Sequence, residues 1–209
     1  MVIDALSRER LIPYLVAVGH HEKAAIDLYA WSMRLSESFY PLLSVTEVAL
    51  RNAVANRIRE IHGDTWWESK DFHDAIGKTA KGTVLRSRNQ RLSEKKYVTH
   101  GCMVAELTFG FWTKMLLPKH ETKYWSPLHD VFPTLPSSIS LADLERRCQD
   151  VTILRNRIFH HEPLLGREIT RDFAETLELV SWIDPRLSAW IKPQLRIMAV
   201  LRERPKART

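Results

Sequence analysis

The sequence predicts an all-α protein, and three observations carry that expectation. Only 7 glycines occur in 209 residues, and long stretches hold none, which favours helices over turn-rich β structure. Apolar residues return every three or four positions, most plainly at Leu141, Leu144, Cys148, Val151, Leu154 and Ile158, the spacing of one helix face. The stretches are divided by short Gly, Pro and Ser/Thr signals, with no internal repeat and no low-complexity linker. The length suffices for one domain, residues 1–209, with its own core. Apolar residues at 44% beside charged residues at 27% are the balance of a folded chain.

Taken in order, 6–18 reads as a first helix, with Pro13 as the place for a bend. Its apolar patch is short, has Asp4 and Glu9 upstream and runs into His20-His21-Glu22-Lys23, so a secretory signal is not expected. A second helix is expected over 22–35 and a third over 41–61, stopped near Gly63. The third is apolar around most of its circumference, which predicts a central, buried helix. Gly63-Asp64-Thr65-Trp66-Trp67 reads as a loop with aromatic anchors. Two shorter helices are expected over 70–80 and 84–95. Thr99 would cap a helix running through Trp112 to about Leu117, stopped by Pro118. The region 119–136 is less regular. Ser140-Leu141-Ala142-Asp143 has the pattern of a capping box and opens a helix to about His160, ended by Pro163. Helices over 167–182 and 185–203 close the fold, with a basic tail over 202–209 expected to fray.

The formal net charge of +6 suits a polyanionic partner without requiring one. Cys102 and Cys148 are too few and too far apart for a metal knuckle or a disulfide framework, so a reducing compartment is the default. No apolar run is long enough to span a membrane, and a cytoplasmic location is expected.

The chemistry concentrates at the end of the helix opened by Ser140. Residues 155–161, Arg155-Asn156-Arg157-Ile158-Phe159-His160-His161, hold two arginines, two histidines and an amide. Arg155 falls inside the apolar stripe, and a charge there must be paired, interfacial or lining a site. Asn156 and His160 are four apart on one flank; Arg157 and His161 are four apart on another. Arg155 and His160 lie about 140° apart around the helix, so they converge poorly within one chain.

Arg155-Asn156-Arg157-Ile158-Phe159-His160 resembles the Arg-x4-6-His motif of the HEPN superfamily of small helical ribonucleases. Glu47-Val48-Ala49-Leu50-Arg51-Asn52 is similar to the Glu-x-x-Leu-Arg-Asn helix of its Abi-like, phage-defence branch, and Leu107-Thr108-Phe109-Gly110-Phe111-Trp112 to that branch's Phe-Gly-Phe-Trp segment. The three matches span about 40–163 in the branch's order. The resemblance implies a HEPN-like helical bundle, here with additional terminal helices. It implies a homodimeric, metal-independent endoribonuclease without a cofactor, acting as a toxin or defence effector and held in check by an antitoxin-like partner, a trigger or low expression. Under it, Arg155 would hold phosphoryl oxygens and His160 would move protons. Asn156 would orient one or the other. His161 could share the proton work, and His160 is favoured because Asn156 stacks with it. Glu47 and Arg51 would support Arg155. Arg157, Arg86, Arg88 and Arg91 would contact RNA, with Lys95 and Lys96 extending the basic stretch.

Plainer readings stand beside these. On these, Arg155 is a structural partner of a carboxylate such as Glu47. The histidines owe their place to the helix dipole. His160, His161 and Glu162 point in different directions and would chelate a metal poorly. Glu47 and Arg51, four apart, would form an internal salt bridge. The Phe109–Trp112 aromatics, and Trp66 with Trp67, are expected to pack rather than stack on RNA, with Gly110 allowing close helix approach. A non-catalytic HEPN-like module binding RNA or a protein is the main rival function. A DNA-binding helical scaffold ranks last, since no helix-turn-helix signature is evident.

Overall fold

The computed structural model describes residues 5–126 and 130–205. It is all-helical, with no strand among the described residues. Helix α1 (Arg8–Ala17) is capped by Ser7, whose hydroxyl accepts from the Arg10 amide. It leans on α2 (Glu22–His62), the axis of the fold. At 41 residues, α2 is about 60 Å long. It joins the two helices expected over 22–35 and 41–61, because Pro41 sits inside it without ending it. An interior proline costs about 3 kcal/mol. Leu35, Phe39, Leu42 and Leu43 are buried around it, and each such side chain returns about 1.5–3 kcal/mol. Glu37, whose carbonyl loses its amide partner, and Pro41 both lie on the exposed side, where water can serve that carbonyl.

The expectation of an axis buried all round is corrected. One stripe of α2, from Ala25 through Leu28, Trp31, Leu35, Phe39, Leu42, Leu50 and Val54 to Ile58, is sealed. Tyr40, Val48 and Ile61 on other faces are exposed. The stripe meets α1, α5 (Phe109–Lys114), α8 (Ile169–Ile183) and α10 (Ile197–Arg202). Those neighbours cover only part of its circumference.

Beyond Gly63, a short 3-10 turn (Trp66–Glu68) leads to α3 (Lys70–Ser93), capped by Ser69. The break expected after 80 falls instead at Gly77, with φ 79° and ψ 168°. Only glycine adopts that conformation readily. The helix expected from Thr99 to about Leu117 is two helices, α4 (His100–Glu106) and α5. Thr99 caps the first as expected. Leu107 turns extended, and Thr108 caps the second through the Phe111 amide. The second cap lets Leu107, Phe109, Phe111 and Trp112 all reach the core.

The aromatic segment therefore packs, as expected. Gly110 does not: a Cβ there would meet nothing within 4 Å, so no helix approaches it closely. Trp66 and Trp67 are buried too. Trp66 meets Trp67, Phe72 and Trp112 edge-on and donates Nε1–H to His100 Nδ1 at 3.0 Å. Burial pushes the His62, His100 and His120 imidazoles below their usual value, with nearby Lys123, Arg59 and Lys119 respectively adding to it.

A 3-10 turn (Pro118–His120) and α6 (Glu121–Tyr124) enter the less regular region, of which 127–129 lie outside the described residues. Helix α7 (Leu141–Phe159) opens on the expected capping box, Ser140 and Asp143 bonding each other's amides at 3.2 Å. It packs on α8 and α5. The last helix expected, 185–203, is broken into α9 (Pro185–Ile191), a 3-10 turn (Lys192–Gln194) and α10. Pro193 and an extended Leu195 interrupt it. The expected frayed tail lies outside the described residues from 206 onward.

Candidate active site

The capping box fixes the start of α7, and its stripe fixes its rotation. Leu141, Leu144, Cys148, Val151, Leu154 and Ile158 are all buried. That orientation delivers Arg155 to the edge of the core, facing the middle of α2. Its side chain is 32% exposed, and its Nε lies 3.5 Å from Glu47 Oε2, itself 26% exposed. The pair is therefore partly solvated, and such pairs contribute only about 0–1 kcal/mol.

The guanidinium is held without being saturated. Nη1 donates to Asn156 Oδ1 at 3.3 Å. Nε is buried, too far from Glu47 for a good hydrogen bond, and otherwise without a partner. Its Cζ lies over the Phe159 ring, 4.5 Å from the centroid, a cation–π contact one helical turn on. Arg51, one turn along α2 from Glu47, also has a buried Nε without a partner. Glu47, Arg51, Arg155, Tyr40 and Phe159 line one solvent-open cavity of about 240 Å³. The Glu47–Arg51 salt bridge expected from the sequence is absent among the described residues. Glu47 turns to α7 and pairs with Arg155 instead.

The end of α7 has its own geometry. The Glu162 amide donates to the Arg157 carbonyl at 2.8 Å and the His161 amide to the Ile158 carbonyl at 3.1 Å. These are the two bonds of a Schellman motif, with His160 at the cap and His161 in the left-handed position usually given to glycine. His161 has φ 56°, a conformation that costs a side chain about 1–2 kcal/mol. Arg10 of α1 secures the turn, donating from Nη1 to the His161 carbonyl at 2.7 Å. Both imidazoles are exposed. His161 lines a second cavity; His160 lines neither.

The structure thus gathers Glu47, Arg51 and Arg155, and leaves His160 and His161 on another side of the α7 terminus. Asn156, expected to lean on His160, spends its side-chain oxygen on Arg155. Arg157 is taken by Glu162 at 3.1 Å. The basic stretch of α3 packs near the Trp66 turn and α4. There Arg88 pairs with Glu68 at 2.9 Å, Arg91 with Glu106 at 3.3 Å and Lys96 with Glu94 at 2.6 Å. Arg86 and Lys95 are exposed.

Sequence reasoning missed three participants: Arg10, 151 residues from its acceptor, and the aromatics Tyr40 and Phe159, whose rings meet at 6.2 Å. Arg10 left no local signal. Tyr40 and Phe159 could have been flagged as aromatics one turn from, or off, a buried stripe. Among the described residues, no three His, Cys, Asp or Glu side chains gather as a metal site, and no helix is long and apolar enough to cross a membrane.

Fold and site together define an all-helical protein carrying an arginine-rich cavity between its axial helix and the terminus of a capped, histidine-ended helix. Set against known proteins, the chain matches no family model, no curated protein and no solved structure.

Proposed function

We propose that the protein is a metal-independent endoribonuclease of HEPN-like type, acting as a homodimer on RNA as a toxin or phage-defence effector. The observation that carries this reading is the unsaturated guanidinium of Arg155, braced by Glu47 in a cavity shared with Arg51. Two arginines lining one solvent-open cavity suit a phosphodiester, whose oxygens accept paired charge-assisted bonds. An exposed His160 five positions on supplies an imidazole able to take and give a proton.

In the reaction, a base removes the 2′-OH proton as that oxygen attacks the adjacent phosphorus. The P–O5′ bond breaks, and an acid protonates the leaving oxygen. The products are a 2′,3′-cyclic phosphate and a 5′-hydroxyl. His160, with His161 beside it, serves as base and acid. Arg155 holds the phosphoryl oxygens and stabilises the added charge of the transition state. Glu47 positions Arg155. Because no histidine among the described residues lines the arginine cavity of one chain, the proton-moving group comes from a second copy across a two-fold axis. Exposed Val48 at the cavity's edge gives that copy an apolar contact.

The rival is a module that binds RNA or a protein partner and cuts nothing. The Glu47–Arg155 pair favours it to the extent that Arg155 is merely structural. Incubating the protein with total and transfer RNA in EDTA separates the two. Cleavage by wild type that disappears in both folded Arg155→Ala and His160→Ala variants supports the ribonuclease. A folded wild type that binds RNA with a strong salt dependence and never cuts it leaves only the binding module. An antitoxin-like inhibitor would act by covering this same face.

A further inference from the structure

A second cavity adjoins the arginine cavity, and Tyr40 and Phe159 line both. It measures about 420 Å³, within the usual range for small-molecule sites. One wall is a single face of α2, on which Tyr29, Ser32, Ser36, Glu37 and Tyr40 follow in successive turns. The opposite wall is the end of α7 and its Schellman turn, with His161.

The two cavities differ in sign. The first presents two arginines, Arg51 and Arg155, against one carboxylate, Glu47. The second presents two carboxylates, Glu37 and Glu162. Glu162 is engaged by Arg157. Among the described residues no ion pair holds Glu37; Arg34 and Arg196 line a separate groove on its other side. A phosphate is drawn to the first cavity and repelled from the second. A flat, neutral ring bearing N–H donors fits the second, against the exposed Tyr40–Phe159 pair.

Resting on the ribonuclease reading, we propose that this cavity holds the base beside the scissile phosphate, and that the base is guanine. The Watson–Crick edge of an unpaired guanine carries two adjacent donors, N1–H and N2–H, that a single carboxylate accepts together, as Glu37 can. Next to them lies O6, an acceptor. Ser32 is buried and accepts from the Tyr14 hydroxyl at 3.1 Å, so its own proton remains to donate, and the Ser36 hydroxyl stands one turn nearer Glu37. The other bases present no such edge. Adenine has one donor beside an acceptor, cytosine likewise, and the single imide N–H of uracil lies between two carbonyls that a carboxylate repels. Recognition of splayed single-stranded bases by stacking and edge bonding is the usual way proteins read RNA sequence.

The test is equilibrium binding of guanosine, adenosine, cytidine and uridine 3′-monophosphates to the full chain, wild type and Glu37→Gln. The expected result is guanosine 3′-monophosphate bound about tenfold tighter than the others or more, the discrimination of one bidentate pair. Glu37→Gln should flatten that preference while helix content and thermal midpoint stay unchanged. Equal binding of all four nucleotides, no binding of any, or a guanine preference that survives Glu37→Gln would each overturn the inference. A dimer that seals Tyr40 and Phe159 and resists every nucleotide overturns it as well. Nucleotide binding needs no cleavage, so the two readings fail separately. Cutting without base preference leaves the ribonuclease and removes the guanine pocket. Selective guanosine 3′-monophosphate binding without cutting leaves the pocket and removes the nuclease.

Discussion

The far end of α2 and its middle are built on opposite plans. At the end, Trp66, Phe72 and Trp112 close edge-to-face around His62 and His100, fully or largely sealed. In the middle, Tyr40, Val48 and Phe159 remain exposed, and the adjoining turn puts a histidine in a left-handed conformation. Buried polar atoms without partners occur in both regions, His62 Nε2 and Trp112 Nε1 at the end and the Nε groups of Arg51 and Arg155 in the middle. The first arrangement stabilises the fold. The second is tolerated by it, and sites where local rules are broken are where function is to be sought.

Substitutions should separate the two regions. The largest effect on stability is expected from Trp66→Ala, about 3–5 kcal/mol, read as a fall in the chemical denaturation midpoint. Phe159→Ala should cost under about 1 kcal/mol, since its ring is already 44% exposed. Equal losses in the two variants would erase the contrast. Activity should invert the order. Arg155→Ala is expected to lower RNA cleavage about a hundredfold to a thousandfold with little change in stability, because its ion pair is partly solvated. Glu47→Gln should lower it less and leave the fold intact, as befits a positioning residue, with Glu47→Asp restoring part of the loss.

Acid should attack the sealed end first. His62, His100 and His120 are held below the ordinary value of 6.5 by burial. Above about pH 6.5 they are neutral in both folded and unfolded chains, and their burial carries no protonation penalty. As pH falls below that value the unfolded chain takes up protons that the folded one resists, so stability declines until the lower folded values are reached. Denaturation midpoints between pH 8 and pH 5 should show this decline. Replacing His100 with Asn should reduce it, and an unchanged slope would shift the cause elsewhere. A change of opposite sign is expected from His161→Gly, which should raise stability by about 1 kcal/mol by relieving the left-handed turn. A loss of stability would mean the imidazole contributes packing that outweighs the strain.

Helix content and most boundaries were legible in the sequence because they depend on local signals. The Ser140–Asp143 box, the Thr99 cap and the apolar stripe of α7 all stand where periodicity and capping put them. Boundaries failed where tertiary burial overrode local punctuation. Pro41, expected to open a third helix, lies inside a continuous α2, and Thr108 restarted a helix that looked continuous. The site was legible as residue types, not as an arrangement. The sequence could suggest Glu47 as a partner of Arg155, but the i, i+4 rule pointed equally to Arg51, and only the rotation of α7 decides between them. The Arg10 clasp on the His161 carbonyl joins residues 151 positions apart and has no sequence signature.

The proposed site is completed by two chains, and mixing tests that most directly. Arg155→Ala and His160→Ala variants, each inactive alone, are unfolded together, refolded to allow subunit exchange and assayed on RNA in EDTA. In a mixed dimer the intact arginine of one chain faces the intact histidine of the other, so activity should return to about a quarter of wild type. Activity that stays absent after exchange, in a mixture shown to contain mixed dimers, would contradict a shared site.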